Sequence, residues 1–463
     1  MFAREVYIKR RETLRKMLGS GIVLLPGNNE SPINYPNNAY RFRQDSTFLY
    51  FFGLDHPCYT AVMDIDSGGE LLFGDDYTVD DIIWMGPQPP LAEKAAAVGV
   101  ETTAPAAEAE RLLGRARAQG RTIHYLPPYR ADITLSISAL LDIAPSEVAS
   151  KASVELAKAV VALREIKDDG EIAEIERACE IGYEIHTLAM KMCRSGVVER
   201  EIAGAIEGIA LQYGGGVSFT SIVSQHGETL HNHRYDGILE AGRLLLIDAG
   251  AETVAGYASD YTRTFPVSGR FTSVQKAVYE VVLAANGRAF DVAAPDKAYW
   301  EVHNEAARVL AEGLVGLGLM RGSVDDIVAE GAQALFMPHG LGHQMGLDVH
   351  DMENIGERYV GYDEETLRNS TPGLSALRMG KRLRAGMAIT VEPGIYFIPA
   401  LIAKWKKENL GKGFVNFAEA EKHLGFGGVR IEDDMLVTAD GNRMLGRRRP
   451  PATVAEIEEF MRR

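Results

Sequence analysis

IDAGAETVAGYASDYTRTF (residues 247–265) sets two aspartates, Asp248 and Asp260, inside runs that read as strands. GRLLLIDAG (242–250) reads as a buried strand, and GYASDYTRTFPV (256–267) as a second strand after a short connection. A hairpin folds these antiparallel and lays Asp248 and Asp260 on one face. Like charges side by side are destabilising unless a cation lies between them. Taken singly, each aspartate has a plainer reading, in which one caps the turn and the other pairs with Arg263. The pair, in strands this apolar, favours a metal.

Three further segments carry chemistry-bearing residues: His343 in PHGLGHQMGLDVHD (338–351), Glu392 in ITVEPGIY (389–396) and Glu432 in GVRIEDD (428–434). His339 and His343 are four apart, but Gly-Leu-Gly between them is a poor helix and holds no glutamate. That excludes the helical HExxH zinc pattern. Pro393-Gly394 ends the strand GMAITV and exposes Glu392 at its terminus. Strand alternation in VRIEDDMLV puts Glu432 and Asp434 on one face and Asp433 on the other, so spacing alone leaves the choice open. Four carboxylates carry four negative charges, which two divalent cations cancel. The chain reads as a two-metal hydrolase.

At 463 residues the chain has room for two or three domains. A net charge of −15 argues against a nucleic-acid partner. The short basic run Arg447–Arg449, ahead of Pro450 and Pro451, reads as a solvated loop. Three cysteines without CxxC spacing argue against a disulfide framework and against structural zinc. MFAREVYIKRRETLRKML lacks an apolar core and a small-residue cleavage site, so an ordinary first helix is expected. No run approaches the roughly eighteen apolar residues of a membrane span. A soluble cytoplasmic enzyme is expected, with no membrane partner.

The first 155 residues alternate strands and helices, which indicates a mixed α/β domain. A helix is expected over 4–18 and strands over 21–27, 42–54, 59–66, 69–75 and 122–128. Two successive helices are expected within 150–192, broken near Asp168-Asp169-Gly170, with the domain boundary in or just before the first. Helices over 199–213, about 274–292 and 297–317 follow. A last helix starts with a Thr453/Glu456 capping box. Gly214–Gly216 lacks the lysine and hydroxyl of a phosphate loop and reads as a turn. The fold class is α/β (α+β), with domains 1–155 and 156–463.

In order and approximate spacing, DAG…SDYTRTFP, HGLGHQMGLDVHD, TVEPGIYF and GGVRIEDD resemble the signature segments of the pita-bread metallopeptidases, in the aminopeptidase P and prolidase branch. YRFRQDSTFLYFFGL (40–54) is similar to the accessory domain of that family, so the resemblance spans nearly the whole chain. It implies a creatinase-like N-terminal domain followed by a pita-bread catalytic domain. It implies Asp248, Asp260, His343, Glu392 and Glu432 as ligands of two divalent metals, with His231 and His350 orienting substrate or moving protons. His339 and Arg430 then line the substrate pocket. Two departures stand out: the interval from Asp248 to Asp260 is one residue longer than usual, and Phe219 stands where relatives often carry tyrosine.

Ligation by oxygen with one imidazole suits manganese first, with cobalt or zinc able to substitute. Glu392 is the expected general base for a water. The implied substrates are proline-containing peptides, and a homo-oligomer, dimer or tetramer, is expected. Xaa-Pro aminopeptidase is the first reading. Xaa-Pro dipeptidase is the alternative, because Arg378 and the insertion from Ile398 to Gly425 resemble the prolidase branch, where an arginine holds the proline carboxylate. A remoter alternative is a non-catalytic pita-bread binding protein, against which all five ligand candidates count.

Overall fold

A computed structural model describes residues 2–462. The chain forms two compact units, one of residues 1–164 with 352–359, the other of 165–351 with 360–463. The division follows the helix Val154–Arg164, where the sequence suggests 155/156, within its first turn. That helix buries Leu156, Val160 and Val161, and its Arg164 donates to Thr47 Oγ1 at 2.9 Å, so it belongs to the N-terminal core.

The N-terminal unit is built on a five-stranded mixed sheet in the order Thr102–Ala104, Glu70–Phe73, Thr60–Asp64, Ile22–Pro26, Ile123–His124. Leu24, Val62 and Phe73 from the sheet pack with Leu113, Ile133 and Ile137 from the helices. The helix Arg4–Leu18 forms as expected. The strand expected over 42–54 does not; Ser46–Phe52 is a helix. Asp45 caps it by accepting from Phe48 N at 2.9 Å, and Gly53 closes it in the left-handed region at φ 63°. Six of its seven residues are buried, so the sequence lacks the polar face that would have revealed a helical period.

In the second unit, the helix Asp169–Met192 starts with a capping box between Asp168 and Glu171. The helices Glu199–Tyr213, Ser273–Val292 and Tyr299–Gly316 follow. They back short antiparallel sheets. One orders Thr262–Pro266, Leu244–Asp248, Ile222–Ser224, and another orders Ala388–Val391, Asp433–Val437, Asn442–Met444. Gly394–Tyr396 pairs with Gly428–Arg430. Leu245, Ile247 and Ile389 are fully buried between these sheets and the helices, each contributing about 1.5–3 kcal/mol. The last helix, Val454–Phe460, begins with the Thr453/Glu456 capping box. Among the described residues no helix is long and apolar enough to cross a membrane.

Candidate metal centre

Strand pairing sets the first two carboxylates. Asp248 lies opposite Thr262 in the antiparallel pair, and alternation returns Asp260 to the Asp248 face. Thr262 also bridges to Glu432: Glu432 N donates to Thr262 O at 3.0 Å, and Thr262 Oγ1 donates to Glu432 Oε2 at 2.7 Å. The strand expected through 429–437 is interrupted there, between Gly428–Arg430 and Asp433–Val437, which turns Glu432 toward Asp260.

The Gly-rich segment runs along the strand Ala388–Val391, which Glu392 follows. Thr390 N donates to His343 O at 3.0 Å, and Glu392 N donates to Leu341 O at 2.8 Å. A Cβ on Gly342 would stand 2.0 Å from the Thr390 carbonyl oxygen, so this approach requires glycine. These bonds place His343 beside the carboxylates.

Asp260, His343 and Glu432 are buried and offer ligand atoms within 4.8 Å of one another. His343 Nε2 lies 3.5 Å from Asp260 Oδ2 and 3.8 Å from Glu392 Oε1. His343 Nδ1 is 3.0 Å from Gln344 O; a proton donated there leaves the Nε2 lone pair facing the carboxylates. Asp248 Oδ1 and Asp260 Oδ1 are buried without a hydrogen-bond partner among the described residues. Such oxygens are costly unless something compensates them. Four carboxylates, three of them buried and that of Glu392 half-buried, with one neutral imidazole fit hard divalent cations.

Electrostatics agree. Burial, then the charges of Glu432 and Asp248, push Asp260 well above the usual carboxylate range. Burial, then Glu392 and Asp248, do the same to Glu432. Burial raises Glu392 to about 7, against the opposing charge of Arg430. Burial, with His350 nearby, holds His343 well below the ordinary histidine value. The protein therefore crowds together acids that resist ionisation until a cation offsets them.

Arg430 is the fixed positive charge. Its Nη2 lies 2.5 Å from Asp248 Oδ2, its Nε donates to Thr262 Oγ1 at 3.0 Å, and its Nη1 donates to Tyr396 OH at 2.8 Å. Tyr396 OH is 2.9 Å from His339 Nε2, and His339 Nδ1 is 2.8 Å from Gly340 O and 3.6 Å from Glu392 Oε2. Burial, then Arg430, lowers His339 to about 3, so its ring is neutral. The rings of His343 and His350 are 4.1 Å apart between centroids. The Arg378 charge opposes protonation of His350, after burial, and contributes more weakly at His231, His343 and Glu392.

Several neighbours were not expected from sequence. Arg263 pairs with neither Asp248 nor Asp260; its Nη2 lies 2.6 Å from Asp433 Oδ1, and both side chains are fully buried. Arg449 joins them at 2.7 Å, so the basic run is not wholly solvated. Asp434 Oδ2 accepts from Asp260 N at 3.0 Å and from the Cys179 thiol at 3.4 Å. Thr262 and Tyr396 hold the Glu432 and Arg430 side chains. Asp434 had a sequence signal, since alternation put it on the Glu432 face, and so had Thr262, two residues from Asp260; Tyr396 had none.

Metallopeptidase family M24 matches residues 173–439, and the aminopeptidase P N-terminal domain matches residues 7–124. Human Xaa-Pro dipeptidase is 33% identical over 97% of this chain and 91% of its own length. A probable Xaa-Pro aminopeptidase of Uncinocarpus reesii is 31% identical over 96% of this chain and 90% of its own. The solved structure of Pseudomonas aeruginosa aminopeptidase PepP superposes with TM-score 0.81 at 30% identity, covering 100% of this chain and 98% of that one. Zinc-substituted Escherichia coli aminopeptidase P in complex with product gives TM-score 0.80 at 29% identity, covering 99% and 98%. The chain is a hydrolase with an aminopeptidase P-type N-terminal domain, and it belongs to metallopeptidase family M24.

Proposed function

We propose that this enzyme cleaves the bond between an N-terminal residue and proline, with Asp248, Asp260, His343, Glu392 and Glu432 holding two divalent cations. The observation that carries the reading is the buried carboxylate cluster around His343, with Asp248 Oδ1 and Asp260 Oδ1 left unsatisfied by protein. Manganese is the proposed metal, because oxygen-rich ligation suits it, with cobalt and zinc as substitutes. When bound, such cations supply Lewis acidity and lower the pKa of water.

The side chains divide the remaining work. Glu392, a carboxylate at the end of the cluster beside His343, is the proposed general base that takes a proton from water. His231 and His350 donate hydrogen bonds to the substrate carbonyl and return a proton to the leaving nitrogen. His339, held neutral by burial and Arg430, lines the pocket and is oriented by Tyr396. An Xaa-Pro bond has no N–H to offer, so recognition rests on ring shape and on the free terminal groups.

Dipeptides are the proposed preferred substrates. Arg378, in the segment that resembles the prolidase branch, is the proposed partner of a free proline carboxylate. The second reading, an aminopeptidase on longer peptides, is favoured by the match to aminopeptidase P structures over the whole chain. A homo-oligomer, dimer or tetramer, belongs to this proposal; the helix Val79–Met85, with Trp84 84% exposed, supports it. A cytoplasmic location is supported by three unpaired thiols, Cys58, Cys179 and Cys193.

Hydrolysis of Ala-Pro and Ala-Pro-Ala, with and without manganese, tests the function. Metal-dependent cleavage of Ala-Pro alone is the expected result. Good cleavage of the tripeptide shifts the assignment to aminopeptidase, and cleavage of neither sinks the Xaa-Pro reading. Asp260→Asn should lower bound metal and abolish activity; near-normal activity would refute the two-metal site.

A further inference from the structure

Between the strand Ile222–Ser224 and the strand Leu244–Asp248 the chain makes an irregular excursion that carries His231. Glu199, the first residue of the helix Glu199–Tyr213, is only 2% exposed although it bears a carboxylate. Its Oε1 accepts from Gln225 N at 2.8 Å, and its Oε2 accepts from Gly237 N at 3.1 Å. His231 lies midway between these two anchors in sequence. Gln225 tightens the same neck: its Nε2 donates to Ile238 O at 2.8 Å, and its Oε1 accepts from Glu240 N at 3.1 Å. A Cβ on Gly237 would lie 2.8 Å from the Glu199 carboxylate, so only glycine allows this approach.

We propose that Glu199 is a positioning residue for His231: one buried carboxylate closes the neck of the 225–237 loop and so fixes where its midpoint histidine meets substrate. The inference rests on the proposed role of His231. Two charge-assisted bonds at one carboxylate hold both loop ends at once. Inside the loop, Asn232 Nδ2 donates to Ser224 Oγ at 2.9 Å, Thr229 N to His226 O at 2.9 Å and Tyr235 OH to Ser221 O at 2.5 Å, and Arg200 N donates to Tyr235 O at 3.1 Å. Glu199 and Gln225 thus hold the neck, and His231 lies at the midpoint between the two held ends. Loss of the pin would let His231 wander without disturbing the metal ligands, which sit on other strands.

The test is a double-mutant cycle on manganese-loaded enzyme, Glu199→Gln against His231→Ala, read by Ala-Pro turnover and by amide hydrogen exchange. Glu199→Gln keeps the shape but replaces one acceptor oxygen with a donor facing a backbone N–H. It should lower kcat/KM roughly 10- to 100-fold, speed exchange across 226–236, and leave metal affinity unchanged. In the His231→Ala background it should cost no more than about 2-fold further, because the group it positions is gone. Fully additive losses, or unchanged exchange in the loop, would overturn the proposal. Should Glu199→Gln fail to fold, Gly237→Ala applies the same test by pushing the carboxylate away. The exchange readout needs no substrate, so wild-type protein inert toward both Ala-Pro and Ala-Pro-Ala would sink the function reading and leave the clamp still decided by exchange.

Discussion

Arg430 Nη2 lies 2.5 Å from Asp248 Oδ2, while Asp248 Oδ1 is buried with no hydrogen-bond partner among the described residues. One oxygen is thus satisfied by protein and the other is kept for something else. Arg430 also holds Tyr396 and Thr262, so it braces the cluster before any cation arrives. Arg430→Ala should therefore harm metal-stripped protein more than loaded protein. Removing one partner of a buried ion pair costs about 3–5 kcal/mol, and saturating manganese should restore part of that. Melting temperatures with chelator and with manganese check this; an equal drop in both forms would contradict it.

The crowded acids predict an unusual pH dependence for metal-stripped protein. Glu392 is held at about 7 against an ordinary 4.5, chiefly by burial, and Asp260 and Glu432 are pushed up as well. Folded pKa values above the unfolded ones mean that the native state binds more protons in this window. Stability should therefore fall as pH rises from about 4.5 to about 7. Excess manganese should flatten that slope, because the cation takes over from the protons. Thermal melts across the window, with and without chelator, measure both effects. A stripped protein that gains stability as pH rises would count against the crowding.

The Arg263–Asp433 pair lies beside the ligands, and both side chains are fully buried. Arg263 also donates to Glu432 O at 2.7 Å, so it supports the backbone of a proposed ligand without touching its carboxylate oxygens. Arg263→Met should leave Asp433 with Arg449 alone and cost about 3 kcal/mol. The urea midpoint should drop accordingly, and metal affinity should weaken through a displaced Glu432. A drop below about 1 kcal/mol would mean that Arg449 compensates.

What the sequence could reveal follows the range of the interactions involved. Asp248 and Asp260 were legible because an acid in an apolar strand needs a partner whatever the fold. His343 and Glu392 stood out through the glycines and the proline beside them, which are local signals. The partners of those residues were not legible. Asp434 meets Asp260 N across 174 positions of sequence, and Arg430 reaches Asp248 across 182. No spacing rule spans such separations. The helix Ser46–Phe52 failed for a different reason: burial on nearly all sides removed its period, leaving only Asp45 and Gly53 to mark its ends.

Arg378, in its proposed role of setting substrate length, can be tested directly. Its charge works on His231, His343, His350 and Glu392, yet it is not among the proposed metal ligands. A guanidinium so placed can pair with a carboxylate one residue beyond the scissile bond, where a dipeptide ends and a longer peptide continues as a neutral amide. Arg378→Ala should then raise KM for Ala-Pro by roughly 10-fold or more, the scale of a lost charge-assisted bond of about 1.5–3 kcal/mol. Turnover of Ala-Pro-Ala should change far less, so the dipeptide preference should shrink by the same factor. Arg378→Lys should recover only part of it, because a lysine cannot form the two-pronged contact. Steady-state kinetics on both peptides make the comparison. Equal losses on the two substrates would assign Arg378 to the electrostatics of the cluster and leave substrate length to other residues.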